Sequence, residues 1–273
     1  MRWVQRHGLR YLQFAQLDAI PGLWHGIFTR FCMDGRGGSP SAFNIGLNVG
    51  DSDAKVHRNR HRMLDVSGCR TAVFARQVHG HQVALWQRPA ADHPTEQGRD
   101  VVYLEGDALV TDQPGVALVI QTADCQSLLL ADTERGVIAN VHSGWRGSIA
   151  DIVGRTVGTM VSQFGCLPEN IVAGIGPSLG PCCAEFINFR DEIPPVYWRY
   201  RGAGDRFDFW RLSIDQLVNA GVPDRRIALS NICTRCNTST FFSHRGEAGR
   251  AGRFASVILM ENRSRESNVR KPK

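Results

Sequence analysis

Lysine is almost missing from this sequence. Lys55 is the only one before Lys271, so neither a Schiff-base mechanism nor a phosphate-loop lysine has a residue to rest on. No apolar run approaches the roughly 20 residues of a membrane span. The start, Met1-Arg2-Trp3-Val4-Gln5-Arg6-His7, has no apolar core of signal-peptide length. These absences point to a cytoplasmic protein with no membrane partner. No Gly-x-Ser-x-Gly or His-Glu-x-x-His motif occurs. Gly174-Ile-Gly176-Pro-Ser-Leu-Gly180 has the wrong final spacing for a dinucleotide fingerprint, and Pro177 removes an N–H. There is no internal repeat and no linker that divides the chain cleanly.

The net charge of +6 does not indicate a nucleic-acid partner. Half of it sits in the tail from Glu261 to Lys273, where five basic residues face two acidic ones. That composition is expected to stay solvated and disordered, leaving one domain over residues 1–260 and a basic tail over 261–273. Eight cysteines without a secretion signal read as thiols or metal ligands rather than disulfides.

Strand signals dominate. Leu9–Leu17 and Leu23–Phe31 read as strands split by Pro21-Gly22, followed by a glycine-rich loop from Asp34 to Ser41. Asp51 or Ser52 is placed to cap a helix running to about Val66. Thr71 to Val78 reads as a strand, with Gln82–Trp86 as its return and a polar loop over 88–100. Ile149, Ile152, Val153, Val157, Met160, Val161 and Phe164 fall at helical spacing, stopped by Gly165 and Pro168. Ile171–Ile175 and Ile227–Cys233 read as strands, 211–220 as a short helix, and Phe241–Met260 as the last ordered segment. Many strands with few, unevenly placed helices fit an α+β fold rather than a regular βαβ array.

The informative stretch is Asp107 to Gly147. Three apolar runs are separated by Thr122-Ala123-Asp124-Cys125 and by the turn Thr133-Glu134-Arg135-Gly136. A loop over 133–136 pairs residue 127 with residue 142, which puts Cys125 and His142 diagonally about 7–8 Å apart at the backbone. A one-residue slip would separate them. Two imidazoles and a thiolate, His79, Cys125 and His142, suit zinc and leave a fourth position open. The same residues also suit ordinary structural roles. Asp124 either orients a ligand or serves as a turn residue. Arg146, between Gly144 and Gly147 and just before the expected helix, is placed for phosphate or carboxylate. The 52–66 helix carries His57, Arg58, Arg60, His61 and Arg62, either a solvated face or one arginine reaching an anionic substrate. Cys233-Thr-Arg-Cys236 could hold a metal or a redox pair; lacking a second Cys-x-x-Cys, it reads as two ordinary thiols, and Cys182-Cys183 as structural.

Several motifs occur together in order. They are His25-Gly-Ile-Phe-Thr-Arg30, Leu47-Asn48-Val49-Gly50-Asp51, Gln77-Val78-His79-Gly80 and Asp107-Ala-Leu-Val-Thr111, then Thr122-Ala-Asp-Cys125 and His142-Ser-Gly-Trp-Arg-Gly147. Ile175-Gly-Pro-Ser-Leu-Gly-Pro-Cys-Cys183 and Phe241-Phe-Ser-His-Arg245 follow. With this set the chain closely resembles the YfiH / laccase-domain family of purine nucleoside phosphorylases, once regarded as multicopper polyphenol oxidases. The resemblance implies a single α+β domain with mixed β-sheets and flanking helices. It implies a metal, usually zinc with copper as the alternative, held by His79, Cys125 and His142. It also implies phosphorolysis of adenosine, guanosine, inosine and methylthioadenosine, and deamination of adenosine. On that reading Cys125, His142 and Asp124 are the catalytic set, and Arg146, Asn48 and Arg58 are candidates for substrate and phosphate contacts. Ser143, Gln126-Ser127, Ala184 and His244-Arg245-Gly246 depart from the usual pattern; the last two departures bear on substrate preference.

Three other functions compete. A multicopper oxidase needs many histidines, often as His-x-His; nine histidines with one such pair, His79-Gly-His81, are too few for a trinuclear site, although one copper on two histidines and a thiolate is chemically sound. A cysteine amidohydrolase acting on cell-wall precursors would use Cys125 as nucleophile and His142 as base. A metal-stabilised binding protein is the non-enzymatic reading. The oligomeric state is not legible.

Overall fold

Alternation inside the apolar runs decides the layering. In Val116–Thr122, Val116, Leu118 and Ile120 pack in one core while Ala117 and Val119 pack in another. In Gln126–Asp132, Leu129 and Ala131 enter the first core and Leu128 and Leu130 a third. Successive side chains leave opposite faces of a strand, so a run apolar at every position must be covered on both sides. The computed structural model, which describes residues 1–33, 41–87, 95–96 and 99–261, meets that demand with four layers.

The strands are β1 Arg2–Arg6, β2 Leu9–Gln13, β3 Leu23–Cys32, β4 Ser41–Ala42 and β5 Thr71–Arg76. They continue as β6 Val83–Leu85, β7 Thr95–Glu96, β8 Arg99–Glu105, β9 Ala108–Thr111 and β10 Val116–Thr122. The last five are β11 Gln126–Asp132, β12 Val137–Ser143, β13 Ile171–Ile175, β14 Ile227–Leu229 and β15 Phe254–Met260. The helices are α1 Ala15–Asp18, α2 Asp53–Ser67, α3 Trp145–Ile149, α4 Ile152–Phe164, α5 Phe189–Glu192 and α6 Phe209–Asn219. Among the described residues one sheet has the order β1-β2-β3-β15-β10-β5-β8-β7, with β4 beside β3. The other has the order β14-β13-β11-β12-β9-β6. Both mix parallel and antiparallel pairs. The sheets meet face to face through Val73, Leu109, Leu118, Leu129, Ile138 and Ile258. Met63 and Leu64 of α2 cover the outer face of the first sheet. Val153, Val157 and Met160 of α4, with Leu217 of α6, cover the second. This is a single α+β domain, as the sequence indicates.

Three connections carry the chain from the first sheet to the second: 77–82, 106–107 and 123–125. Gln82–Trp86 is therefore no return strand. Its core, β6, pairs in parallel with β9 in the other sheet, because Gln82 accepts the N–H groups of Asp107 and Ala108 there. The hairpin over 133–136 forms in the expected register, with Ser127 opposite His142.

Other boundaries shift for local reasons. The strand expected over Leu9–Leu17, β2, stops at Gln13, where the buried His25 ring accepts the Phe14 N–H at 2.8 Å and the chain turns into α1. The helix expected from Ile149 is two helices. Asp151 lies in the left-handed region at φ 56° and accepts the Gly154 N–H, which restarts the helix. β14 ends at Leu229, short of the expected Cys233, and the segment Phe241–Met260 closes with β15. A strand, β8, begins at Arg99 inside the expected polar loop. Most of the glycine-rich loop, the segments 88–94 and 97–98, and the tail beyond Glu261 lie outside the described residues. No helix among the described residues is long and apolar enough to cross a membrane.

One polar residue ties the two sheets. Asn140 of β12 is fully buried and donates to the carbonyls of Leu118 at 3.0 Å and Ser256 at 2.8 Å, on two strands of the other sheet. Asn140→Leu strands those acceptors from that donor in a dry interface and is expected to destabilise the fold by about 1–3 kcal/mol. Denaturant unfolding measures it; an unchanged midpoint would show that these bonds contribute nothing net.

Candidate metal centre and active-site cavity

The metal-ligand candidates meet where the chain changes sheets. The ligand atoms of His79, Cys125 and His142 all lie within 4.8 Å of one another. His79 comes from the 77–82 crossing, Cys125 from the 123–125 crossing, and His142 from the end of β12. Cys125 is not in the strand; it occupies the bend just before β11. The two imidazoles stand edge to face, 4.9 Å between centroids.

Asp107 organises the trio. Its side chain is fully buried and accepts the N–H groups of Val78 at 3.3 Å, His79 at 3.0 Å and Gly80 at 2.7 Å. The same carboxylate lies 2.7 Å from His142 Nδ1. That bond leaves His142 Nε2 as the nitrogen available to a ligand. His79 sits in the left-handed region at φ 58°, an unfavourable place for a residue with a side chain, and the Asp107 bonds hold it there. Sequence reading had Asp107 only as the first letter of a motif. A buried acid opening an apolar strand was the available signal.

Charge follows this geometry. Burial works to raise the Asp107 carboxyl, but the His142 ring and the Gly80 and Val78 N–H groups outweigh it and hold the group below its ordinary value. Burial alone would also raise Cys125; the charge and hydrogen bonds of His142 and His79 reverse that and bring the thiol down to about 6. His142 moves the other way, to about 9, because Cys125 and Asp107 overcome the burial penalty. At neutral pH the pair is then a thiolate and an imidazolium; the thiolate is the form that ligates a metal, and His142 gives up its Nε2 proton when a metal binds.

The glycines of His142-Ser-Gly-Trp-Arg-Gly147 make room. A Cβ on Gly144 would stand 3.3 Å from Cys125 Sγ and 3.4 Å from His79 Cδ2. One on Gly147 would stand 2.9 Å from the Gly80 carbonyl, so α3 could not rest on the His79 loop. Two imidazoles, a thiolate, an orienting carboxylate and cleared space together fit a metal ion.

A cavity of about 990 Å³ opens from this trio. One wall is aromatic: Trp145, Phe186 and Phe209 line it, with Phe186 edge to face against Trp145. Another is basic, lined by His57, Arg60 and Arg253. Arg60 is buried, donating to the Ile45 carbonyl at 2.8 Å and to the Tyr103 hydroxyl at 2.7 Å. Arg253 packs its stem on Gly46, and its backbone is bonded to Asn44 and Ile45. Burial lowers its guanidinium, opposed by the nearby charges of Cys125 and Asp124. The motif Phe43–Asp51 thus holds an arginine that sequence reading did not single out. Ala184 and His244, two positions that depart from the family pattern, line the same cavity.

The other sequence candidates fall in different places. Asn48 lines the cavity at its exposed rim. Arg58 does not; it is exposed, about 100° round α2 from His57, whereas His57 and Arg60, three apart, share the inward face. Arg146 also lies outside the lining. It is exposed in the first turn of α3 and stacks 4.4 Å over the Trp145 ring. The helix break at Asp151 puts it in a short separate helix rather than before the long one. Asp124 lines the cavity, but its carboxylate accepts Thr234 Oγ1 at 2.6 Å, Ser243 Oγ at 2.7 Å and the Arg245 N–H at 2.6 Å. Its backbone carbonyl also accepts the Leu179 N–H. It therefore clamps two segments, 176–188 and 230–253, beside Cys125.

If Asp107 orients the His142 ring and holds the His79 backbone, Asp107→Asn should weaken metal binding by roughly 10- to 100-fold. Competition with a chromophoric chelator measures the affinity. A variant that folds and binds metal as tightly as the parent would contradict the role given to Asp107.

The chain has clear relatives. The family model described as multi-copper polyphenol oxidoreductase laccase matches residues 25–261. A purine nucleoside phosphorylase from Deinococcus radiodurans is 36% identical over 242 residues, covering 83% of this chain and 87% of that protein. One from Bacteroides thetaiotaomicron is 31% identical over 264 residues, covering 92% and 96%. Among solved structures, YlmD from Geobacillus stearothermophilus matches with a TM-score of 0.76 at 29% identity, covering 95% of this chain and 99% of that one. The matched span holds all three clustered candidate ligands, the Asp107 hub and the four-layer core, and on these grounds the chain belongs to the YfiH / laccase-domain family of purine nucleoside phosphorylases.

Proposed function

We propose that this chain is a metal-dependent purine nucleoside enzyme. It phosphorolyses adenosine, guanosine, inosine and methylthioadenosine to the free base and ribose 1-phosphate or its methylthio analogue, and it deaminates adenosine to inosine. One observation carries the reading: a single cavity joins the His79-Cys125-His142 cluster to an aromatic wall and to a basic wall. A flat apolar base and a phosphate dianion need those two walls, side by side. The relatives named as purine nucleoside phosphorylases support the same assignment.

Each wall has a role in this account. Trp145, Phe186 and Phe209 take the base by its faces. Arg253 and Arg60, with His57, neutralise phosphate and hold it toward C1′ of the ribose. A phosphate oxygen attacks C1′ as the bond to the base nitrogen breaks, and the base leaves with a proton; in deamination water replaces the amino group at C6 and ammonia leaves. Asp107 fixes the tautomer of His142, and Asp124 positions the loops around the cavity rather than reacting. The ligands His79, Cys125 and His142 would hold zinc, with copper as the alternative for the same donor set, and a bound ion supplies Lewis acidity at the cavity floor. A polyphenol oxidase is the weaker reading, because the two His/Cys clusters among the described residues contain only two histidines between them.

The test is product identification on metal-loaded protein given adenosine and phosphate. Cys125→Ala and His142→Ala are each expected to lose both the metal and the products. Full metal occupancy with no turnover in Cys125→Ala would favour the competing amidohydrolase reading, in which the lowered Cys125 thiol is a nucleophile and His142 its base.

The phosphate assignment has its own test. Loss of a hydrogen bond to a charged group, worth about 1.5–3 kcal/mol, predicts a roughly 10- to 100-fold rise in KM for phosphate in Arg253→Ala, with deamination spared. Arg146→Ala is expected to leave the phosphate KM unchanged. The reverse pattern would return the anion site to Arg146 and the start of α3.

A further inference from the structure

Four of the remaining cysteines are brought together away from the His79 cluster. Cys182 and Cys183 lie in the loop after β13, Cys233 and Cys236 in the loop after β14, and all four sulfurs fall within 4.8 Å of one another. Cys236 Sγ is 3.7 Å from Cys182 Sγ and 3.6 Å from Cys183 Sγ. Four thiolates tetrahedrally disposed at about 2.3 Å from a zinc ion have sulfur–sulfur edges of about 3.8 Å. A disulfide needs about 2.05 Å, and all eight cysteines are free. We propose that Cys182, Cys183, Cys233 and Cys236 form a second, structural zinc site of this protein.

The surroundings meet what such a site requires. The Gly180 N–H lies 3.3 Å from Cys233 Sγ, and the Cys236 N–H also bonds that sulfur, so backbone donors orient a ligand as second-sphere groups do. Trp210, Leu179 and Leu229 pack around the buried pair Cys183 and Cys233, while Cys182 and Cys236 are exposed and give the ion a way in. Zinc with four thiolates carries two negative charges. A cleft of about 450 Å³ beside Cys182 is lined by Arg199, Arg201, Arg206 and Arg211; Arg201 and Arg211 are paired with Asp205 and Asp215, and with Asp208 in the lining the arginines keep a surplus of one positive charge toward the site.

The site also has work to do in the fold. No strand or α-helix occurs in 176–188 or in 230–253. The two segments join mainly through Ser178, which bonds Ile232 and Thr234. Those same segments supply the Leu179 and Thr234 donors that hold Asp124 next to Cys125. A tetrathiolate ion would staple both loops and fix one side of the cavity without touching substrate.

The experiment counts metal on the full chain, saturated with zinc under reducing conditions and washed free of excess. Two equivalents are expected in the parent, one in Cys125→Ala/His142→Ala and one in Cys236→Ser, which should also melt at a lower temperature. Should Cys236→Ser fail to fold, the Cys125→Ala/His142→Ala protein loaded with cobalt(II) decides alone: intense visible bands of a tetrahedral tetrathiolate site are expected. No metal in that double variant, an undiminished count in folded Cys236→Ser, or a disulfide among the four in protein purified without oxidant would overturn the proposal.

Discussion

The carboxylate of Asp107 is the constraint on which the site depends. It is fully buried, and it is held charged by four donors from two directions. One direction is the backbone of the His79 loop, the other is the ring of His142. A lone buried carboxylate is costly and would take up a proton, but one that accepts several N–H bonds is stable as an anion. Removing its partners would therefore undo the acid, and removing the acid would release the His142 ring and the backbone of the His79 loop. The left-handed backbone at His79 persists only because this network over-determines it.

The fold explains why such a network forms there. Both sheets are apolar on both faces, so the space between them is dry along most of its length. His142 lies on the same face of β12 as Ile138 and Asn140, the face turned to the other sheet. Polar side chains on that face must find partners inside the protein, and Asn140 and His142 both do. Where three crossings pass from sheet to sheet, the layers part and the cavity begins. The candidate ligands then stand at a strand end and on tight crossings, while the cavity walls come from α2, from the starts of α3 and α6, and from the loops that carry Phe186 and Arg253.

Much of this was legible in the sequence, and the gaps have physical causes. The register of the 126–143 hairpin followed from the length of its turn and the apolar runs beside it, and that register is what put Cys125 near His142. Period-2 logic gave the strands but not their partners: Gln82–Trp86 looked like a return strand because local pattern cannot say which sheet a strand joins. The break at Asp151 was hidden because apolar spacing continues across it, while one aspartate turns the backbone. Arg253 was missed, and Arg146 and Arg58 preferred, because what faces a cavity is set by contacts distant in sequence, here the seating of Arg253 on Gly46. The four-cysteine cluster was invisible for the same reason. One half is a Cys-x-x-Cys pair, the other two adjacent cysteines, and the bridge through Ser178 that unites them leaves no mark in the sequence.

The central claim is that Asp107 gathers His79, Cys125 and His142 into a metal site at the floor of the purine cavity. An anomalous difference map from crystals of the zinc-loaded protein, recorded on both sides of the zinc edge, tests it most directly. The account predicts a peak contacted by His79, Cys125 and His142, with Asp107 still bonded to His142 Nδ1. A zinc-loaded crystal with no peak there, or with the ion on other residues and Asp107 turned away from His142, would contradict it.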